Sequence, residues 1–368
     1  MTRFYSNGKL LLTGEYVVLD GAISLAVPTK FGQDLVVEQI EEPELIWGSF
    51  TNTGECWFEA IFDLPKLRLK NATFNSEKEL NTELIAETLH KILSEARKLN
   101  PDFLQTDKGF IVKTKLTFPQ NWGLGSSSTL INNIANWANV DGYKLLWNAF
   151  SGSGYDIACA QNDLPIFYQL EKVSEPFDFA QDKLSRRQHP IVKQVDFNPS
   201  FKNELFFVHL NKKQNSRDGI AQYRKNNQHI QQEITEISNL SNEFVKATST
   251  TDLEKILEEH ENIISSIIKL NPVKKELFSD YFGAVKSLGA WGGDLVLATG
   301  NDDTSNYVNR KDIDTIFQDT ELPPDQIEFI EINADLCQKW PNITEVIPAP
   351  EDADKWNGVE NKLPLLER

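Results

Sequence analysis

At 368 residues, with 40% hydrophobic and 25% charged side chains, the chain has the make-up of an ordinary globular protein and is long enough for two domains of usual size. A formal charge of −17 argues against a broad nucleic-acid or anionic-membrane footprint, so any anionic substrate must be gathered by a local basic pocket. Three cysteines, Cys56, Cys159 and Cys337, lack CxxC spacing and suggest neither a disulfide framework nor a zinc site. No apolar signal core follows Met1 and no run of about 18 apolar residues occurs, so the expectation is a soluble protein of a reducing cytoplasm.

In chain order, Lys9 to Leu19 reads as strand, broken at Gly14–Glu15 and closed by the turn signal Asp20–Gly21. A lysine and a glutamate inside an apolar run must be paired or put to use. Leu35–Ile40, Leu45–Trp47 and Cys56–Phe62 read as further strands, and Leu80, Leu84, Leu89, Ile92, Leu93 and Ala96 mark an amphipathic helix ended at Asn100–Pro101. Gly109 to Phe118 alternates as a strand and runs into Pro119 to Thr129, a loop holding Gly123, Leu124, Gly125, Ser126, Ser127 and Ser128. Leu130, Ile131, Ile134, Ala135 and Ala138 then recur at helical spacing. Glycine-rich backbone feeding the positive end of a helix is an anion cradle. It is neither a Walker A loop nor a dinucleotide fingerprint, since no Gly-Lys-Ser/Thr ends it.

Gly152 to Ala160 places Asp156 after a glycine-serine turn, where an aspartate caps a helix or serves chemistry. Residues 174–190 have no steady period and are basic at Lys183, Arg186 and Arg187, as a solvated link or as a lid over an anionic substrate. Leu205–Leu210 is strand-like and 211–217 a polar loop. Two long helices follow, one through Ile230, Ile234, Ile237, Leu240 and Phe244, the other through Leu253, Ile256, Leu257, Ile263, Ile264, Ile267 and Ile268. A shorter helix is expected to reach Leu288, ahead of Gly289 to Thr299, read as loop then strand. Ile327–Ile332 reads as a last strand before an acidic tail.

Three of these segments, 8–21, 119–129 and 289–299, together with the Asp156 turn, resemble in order and spacing the signatures of the GHMP kinases, the family of galactokinase, homoserine kinase, mevalonate kinase and phosphomevalonate kinase. The resemblance implies a two-domain α+β fold. An N-terminal ribosomal-protein-like domain with a left-handed βαβ unit would span 1–190, a C-terminal ferredoxin-like domain 191–368, and the site would lie in the cleft between them. It implies ATP and Mg²⁺ as cofactors. Gly123 to Ser128 would hold the ATP phosphates, Ser127 would help hold the metal, and Asp156 and Lys9 would be catalytic. Glu15, Gly289, Gly292, Gly293 and Asp294 would form the substrate and phosphate side. Trp291 stands where the pattern has glycine, which puts close backbone approach to the phosphates in question there.

The acceptor implied is a small anionic molecule, with Arg186, Arg187, Lys212, Lys213, Arg217 and Arg224 as basic candidates. No nucleic acid or membrane partner is implied, and a homodimer is left open. Mevalonate kinases carry a metal-binding glutamate shortly before the catalytic aspartate, whereas Tyr143–Trp147 holds no carboxylate here. That departure tilts the resemblance toward phosphomevalonate kinases. Mevalonate kinase, a sugar kinase, a decarboxylase of the same fold and a ligand sensor remain as alternatives.

Overall fold

The long strand β2 (Ser24–Ile40) is the spine on which the rest of the N-terminal half is laid. Along one edge it pairs antiparallel with β1 (Thr2–Leu11), from Thr2 opposite Val37 to Leu11 opposite Ala26. Pro28, opposite Lys9, has no N–H to give a sheet ladder, and between Asn7 and Gly8 the register skips Lys30 and Phe31. This computed structural model describes residues 1–74, 82–172, 188–210, 216–291, 295–301, 303–304, 307 and 332–333. All of them belong to one compact unit, Met1–Cys337.

After β2 the chain forms β3 (Glu44–Phe50), β4 (Cys56–Asp63), β5 (Arg68–Phe74), helix α1 (Thr82–Leu99) and β6 (Gly109–Leu116). Helices α2 (Ser126–Ala138), α3 (Gly142–Ala149) and α4 (Tyr155–Ala160) precede β7 (Ile166–Lys172) and β8 (Gln188–Gln194). The sheet runs β5-β4-β3-β6-β2-β7-β8 with β1 beside β2. Its β3–β6 pair is parallel and the others are antiparallel. The C-terminal half contributes β9 (Leu205–His209), α5 (Ser216–Asn226), α6 (Gln231–Lys246), α7 (Thr250–Ile268), α8 (Val273–Leu277), β10 (Val285–Leu288), β11 (Leu295–Thr299) and the two-residue β12 (Ile332–Asn333). Its four strands form a second sheet in the order β10-β11-β9-β12.

Among the described residues four apolar clusters result, two of them large. One lies between the β3–β6 part of the first sheet and helices α1, α2 and α3, with Trp47, Phe62, Leu93, Ile134 and Leu145 buried together. The other is shared between the halves: Leu10, Leu25 and Phe118 of the N-terminal half pack with Ile237, Phe244, Leu257 and Ile264 of α6 and α7 and with Leu295 and Leu297 of β11.

The structure differs from the sequence-based elements at several points. The strand expected from Lys9 to Leu19 stops at Leu11, because Gly14 and Tyr16 take positive φ and residues Val17–Asp20 coil into a short 3-10 turn. The helix expected to reach Leu288 ends at Leu277, and Val285–Leu288 is strand β10 instead. All four β10 side chains are buried, so the strand lacks the alternation that distinguishes it from a buried helical turn. Helix α3, absent from the sequence reading, is capped by Asp141, whose carboxylate accepts the Lys144 N–H at 2.9 Å. Of the strand expected at Ile327–Ile332, only Ile332 falls among the described residues, in β12.

The shared core makes a prediction. Phe244 is fully buried with its ring 5.5 Å from that of Phe197. Phe244→Ala should cost about 3–5 kcal/mol of unfolding free energy, with circular dichroism and tryptophan fluorescence shifting together in one transition. Two separated transitions would contradict a core common to both sheets.

Candidate active site

Residues from both halves face a cavity of about 380 Å³. Its phosphate-type wall is the loop before α2. Lys9 on β1 grips that loop twice: its backbone N–H donates to the Leu124 carbonyl at 3.0 Å, and its ammonium donates to the Gly123 carbonyl at 2.8 Å. The approach is close enough that a Cβ on Gly8 would stand 2.9 Å from the Leu124 oxygen. Leu124 itself is fully buried in the shared core and does not line the cavity; it anchors the loop from behind. Gly123, Gly125, Ser126, Ser127 and Ser128 do line it.

Gly125 sits at φ +91°, and a Cβ there would meet Ser128 Oγ at 2.8 Å and Lys9 Cγ at 3.2 Å. It turns the chain so that α2 begins at Ser126 with its N-terminus at the cavity, where unpaired N–H groups and the helix dipole favour an anion.

What holds α2 in this pose is a buried polar network. Ser6 donates to Asn133 at 2.8 Å, Asn132 donates to Ser6 at 2.9 Å, and Asn133 donates to the Gln33 carbonyl at 2.8 Å. Gln161, just after α4, donates to Asn132 at 2.9 Å, so α2 and α4 are fixed to the same strands. The sequence reading missed this network, whose one signal is a pair of adjacent asparagines on an otherwise apolar helical stripe.

Asp156 lies in the first turn of α4, which starts after Gly154 at φ +90°. Burial pushes the Asp156 carboxyl up from the ordinary aspartate range. Lys9, the N–H groups of Asp156 and Ile157 and the Ser128 hydroxyl act against that. Lys9 also rests 5.9 Å over the Tyr155 ring. The structure therefore brings together Lys9, Asp156 and the glycine-serine loop, which in sequence lie far apart.

Glu15, placed by the sequence on the substrate side, touches the cavity but is 1% exposed and ion-paired with Lys286 at 2.5 Å. Gly289 lines the cavity at φ +74°. Gly292, Gly293 and Asp294 lie outside the described residues, as do Lys183, Arg186, Arg187, Lys212 and Lys213. Arg224 is committed elsewhere, on Asp20 at 2.9 Å. Trp291 is buried, donating its backbone N–H to Tyr16 Oη at 2.9 Å and its indole N–H to the Asn271 carbonyl at 2.9 Å. Leu11, Val18, Leu19, Leu146 and Ile220 give the cavity an apolar side.

The oxygen donors facing the cavity suit magnesium. Among the described residues no group of three or more His, Cys, Asp or Glu could form an all-protein metal site. Ser127 and Asp156 nonetheless offer hard oxygen ligands beside an anion cradle, and Mg²⁺ ordinarily takes one or two protein oxygens with the rest from phosphate and water.

Similar architecture occurs in solved structures. The Methanococcus jannaschii mevalonate kinase is 13% identical, matching 84% of this chain and 93% of its own with a TM-score of 0.55. The Streptococcus pneumoniae phosphomevalonate kinase, solved with phosphomevalonate and AMPPNP, is 18% identical over 83% of this chain and 94% of its own, with a TM-score of 0.55. The Lactococcus lactis galactokinase, solved with galactose, is 14% identical over 86% and 89%, with a TM-score of 0.53. The chain shares the mixed α+β fold of these three kinases. At its C-terminal end, residues 328–368 match a family model described as a domain of unknown function (DUF3470). No helix among the described residues is long and apolar enough to cross a membrane.

The turn at Gly125 is testable. Gly125→Ala puts a Cβ at positive φ against Ser128 and Lys9. It should weaken nucleotide binding at least tenfold, measured by titration of a fluorescent ATP analogue. An unchanged dissociation constant would remove this loop from the nucleotide site.

Proposed function

We propose that this protein is an ATP- and Mg²⁺-dependent small-molecule kinase, transferring the γ-phosphoryl group to a small anionic acceptor, with phosphomevalonate as first candidate. The observation that carries the reading is the convergence of Lys9 and Asp156 at the N-terminus of α2, on the wall of one cavity. Phosphoryl transfer asks a protein chiefly for positioning and charge stabilisation, with a carboxylate to receive the acceptor proton.

In this reading the N–H groups from Gly125 to Ser128 hold the β- and γ-phosphates. Lys9, already fixed to the loop by the Gly123 carbonyl, places a positive charge where negative charge spreads during transfer. Asp156 orients the acceptor oxygen and takes up its proton where there is one to take. Ser127 and Asp156 would hold Mg²⁺, which when bound supplies charge neutralisation at the phosphate oxygens. The apolar wall of Leu11, Val18, Leu19, Leu146 and Ile220 excludes water from the acceptor side.

A second acceptor class is favoured by one feature. Lys9 is the sole basic side chain among the described residues of the cavity wall, so a phosphate on the acceptor would share it with the nucleotide. This supports mevalonate or an uncharged sugar as the competing acceptor.

The reading is tested by ADP release with Mg²⁺ and ATP in the presence of phosphomevalonate, mevalonate, a sugar panel or no acceptor. Stimulation by phosphomevalonate alone is expected. Binding of ATP without stimulation by any acceptor would shift weight to a ligand sensor.

Asp156→Asn should lower kcat by about 10²–10⁴-fold. Its folded carboxyl has a raised pKa, so the native state binds more protons than the unfolded chain and stability falls as pH rises through that range. Removing the charge should therefore leave the unfolding temperature at neutral pH equal to or above that of the wild type. In the wild type, kcat/KM should rise with pH through an acid limb centred above the ordinary aspartate pKa. A limb at or below that value, or an active Asp156→Asn variant, would take Asp156 out of the mechanism.

A further inference from the structure

Behind the cavity lies a cluster of ionisable side chains that the proposed mechanism does not use. Lys286 on β10, fully buried, donates to Glu15 Oε1 at 2.5 Å and to the Ser287 carbonyl at 2.8 Å. Lys286 sits two residues before the end of β10, which runs directly into Gly289 and Ala290, so its pair with Glu15 ties that strand end to the turn after β1. From α7, His260 Nε2 accepts the Gly14 N–H at 2.9 Å, and Glu261 Oε1 accepts the Ser287 N–H at 3.1 Å. His260 Nε2 is 3.4 Å from Glu15 Oε2, but the lone pair facing Gly14 is that of a neutral ring, so the contact is no ion pair. Burial drives the His260 pKa well down and the Glu261 pKa up to about 8. Burial also raises the Glu15 carboxyl, with Lys286 acting against that, and Lys286–Glu15 is the direct ion pair of the cluster.

These bonds tie the turn after β1 and the end of β10 to α7, and the residues next to both segments, Glu15, Tyr16, Gly289 and Ala290, line the cavity. Gly14 and Glu15 belong to the turn after β1, the strand that carries Lys9. Gly289 and Ala290 form the opposite wall. The two segments meet again where Trp291 N–H donates to Tyr16 Oη. The pair costs desolvation that an apolar pair would not, so it contributes little to stability by itself. What it fixes is the relative placement of the two segments.

We propose that Lys286 is a positioning residue for phosphoryl transfer: through Glu15 it holds the Gly289–Ala290 wall in register with the turn that follows the Lys9 strand. The proposal rests on the kinase reading for its effect on rate, but not for its effect on the loops.

The experiment compares the wild type with Lys286→Met and with the isosteric neutral pair Glu15→Gln/Lys286→Met. In the single variant Glu15 keeps its burial and loses its cation, so it carries an uncompensated charge at high pH and takes up a proton at low pH. The groups facing it are Tyr16 from its own turn, His260 and Glu261 from α7, and Lys286 from β10. Among these only Lys286 is ion-paired with the Glu15 carboxylate. The expected result is a loss of about 10²-fold in kcat/KM for the acceptor, with the nucleotide dissociation constant unchanged. The ratio of variant to wild-type rate should climb as pH falls and Glu15 takes up its proton. The neutral pair should give a ratio that does not vary with pH.

Hydrogen exchange of nucleotide-free protein reads the loops directly. Amides of 14–19 and 285–291 should exchange faster in Lys286→Met, those of 123–128 should not, and the neutral pair should restore protection. Uniform loss across the chain, or a rate deficit independent of pH in the single variant, would overturn the proposal. If the wild type phosphorylates no acceptor, the kinase reading fails, and the exchange data alone decide whether Lys286 sets the loops. Should the single variant not fold, the neutral pair and His260→Gln carry the same comparison, the latter expected to raise exchange at 14–19 alone.

Discussion

The site depends on how closely β1 and the loop before α2 can approach. Lys9 donates its backbone N–H to Leu124, and that contact exists only because Gly8 has no side chain to hold the loop away. With Leu124 sunk in the shared core, the loop is clamped from two sides: β1 at the front, apolar packing behind. A cradle of backbone N–H groups is useful only if it does not reorganise when charge arrives. Here rigidity comes from the buried network of Ser6, Gln33, Asn132, Asn133 and Gln161, which ties α2 and α4 to the same two strands and so sets the distance between the cradle and Asp156.

Much of the site was legible because its chemistry needs unusual residues close together in sequence. Gly123 to Ser128 has no better use for so many small residues at a helix entry, and a lysine in an apolar strand asks for a partner. Asp156 was legible as a cap or a base, and its position beside Lys9 is what the fold adds. The less legible parts share one physical cause, namely dependence on distant partners. Strand β10 is buried on both faces and so shows no period. Strand β2 hides behind Pro28 and Gly32, whose breaks are absorbed by pairing with β1. Glu15 reads as a site residue from its place beside Gly14. Only the arrival of Lys286, 271 positions later, shows that its charge is consumed within the protein.

That pairing bears on how substrate charge is met. The chain carries a net −17, and a buried glutamate facing an anion site would repel the ligand unless neutralised. Lys286 pairs with Glu15 from behind, while Lys9 holds the Gly123 carbonyl on the cavity side. The two lysines thus have different partners, Lys286 the buried Glu15 and Lys9 the loop that lines the cavity.

Both halves of the chain contribute to this division, since Lys9 and Glu15 come from the first sheet's edge and Lys286 from the second sheet. The core joining them is continuous through Leu10, Phe244 and Leu297. A hinge would open between the sheets only by exposing that core, whereas small shifts of the 289–291 wall need break only a few polar contacts. Motion is therefore expected to concentrate at this wall and at the outer contacts beyond it, where Arg224 and Asn227 bond Asp20, while Tyr223 of α5 stays fully buried in the shared core. Such contacts, polar and partly open to solvent, exchange readily with water, while the apolar packing beneath them does not. The fold places its apolar packing beneath the loop before α2 and its exchangeable contacts around the far wall of the cavity.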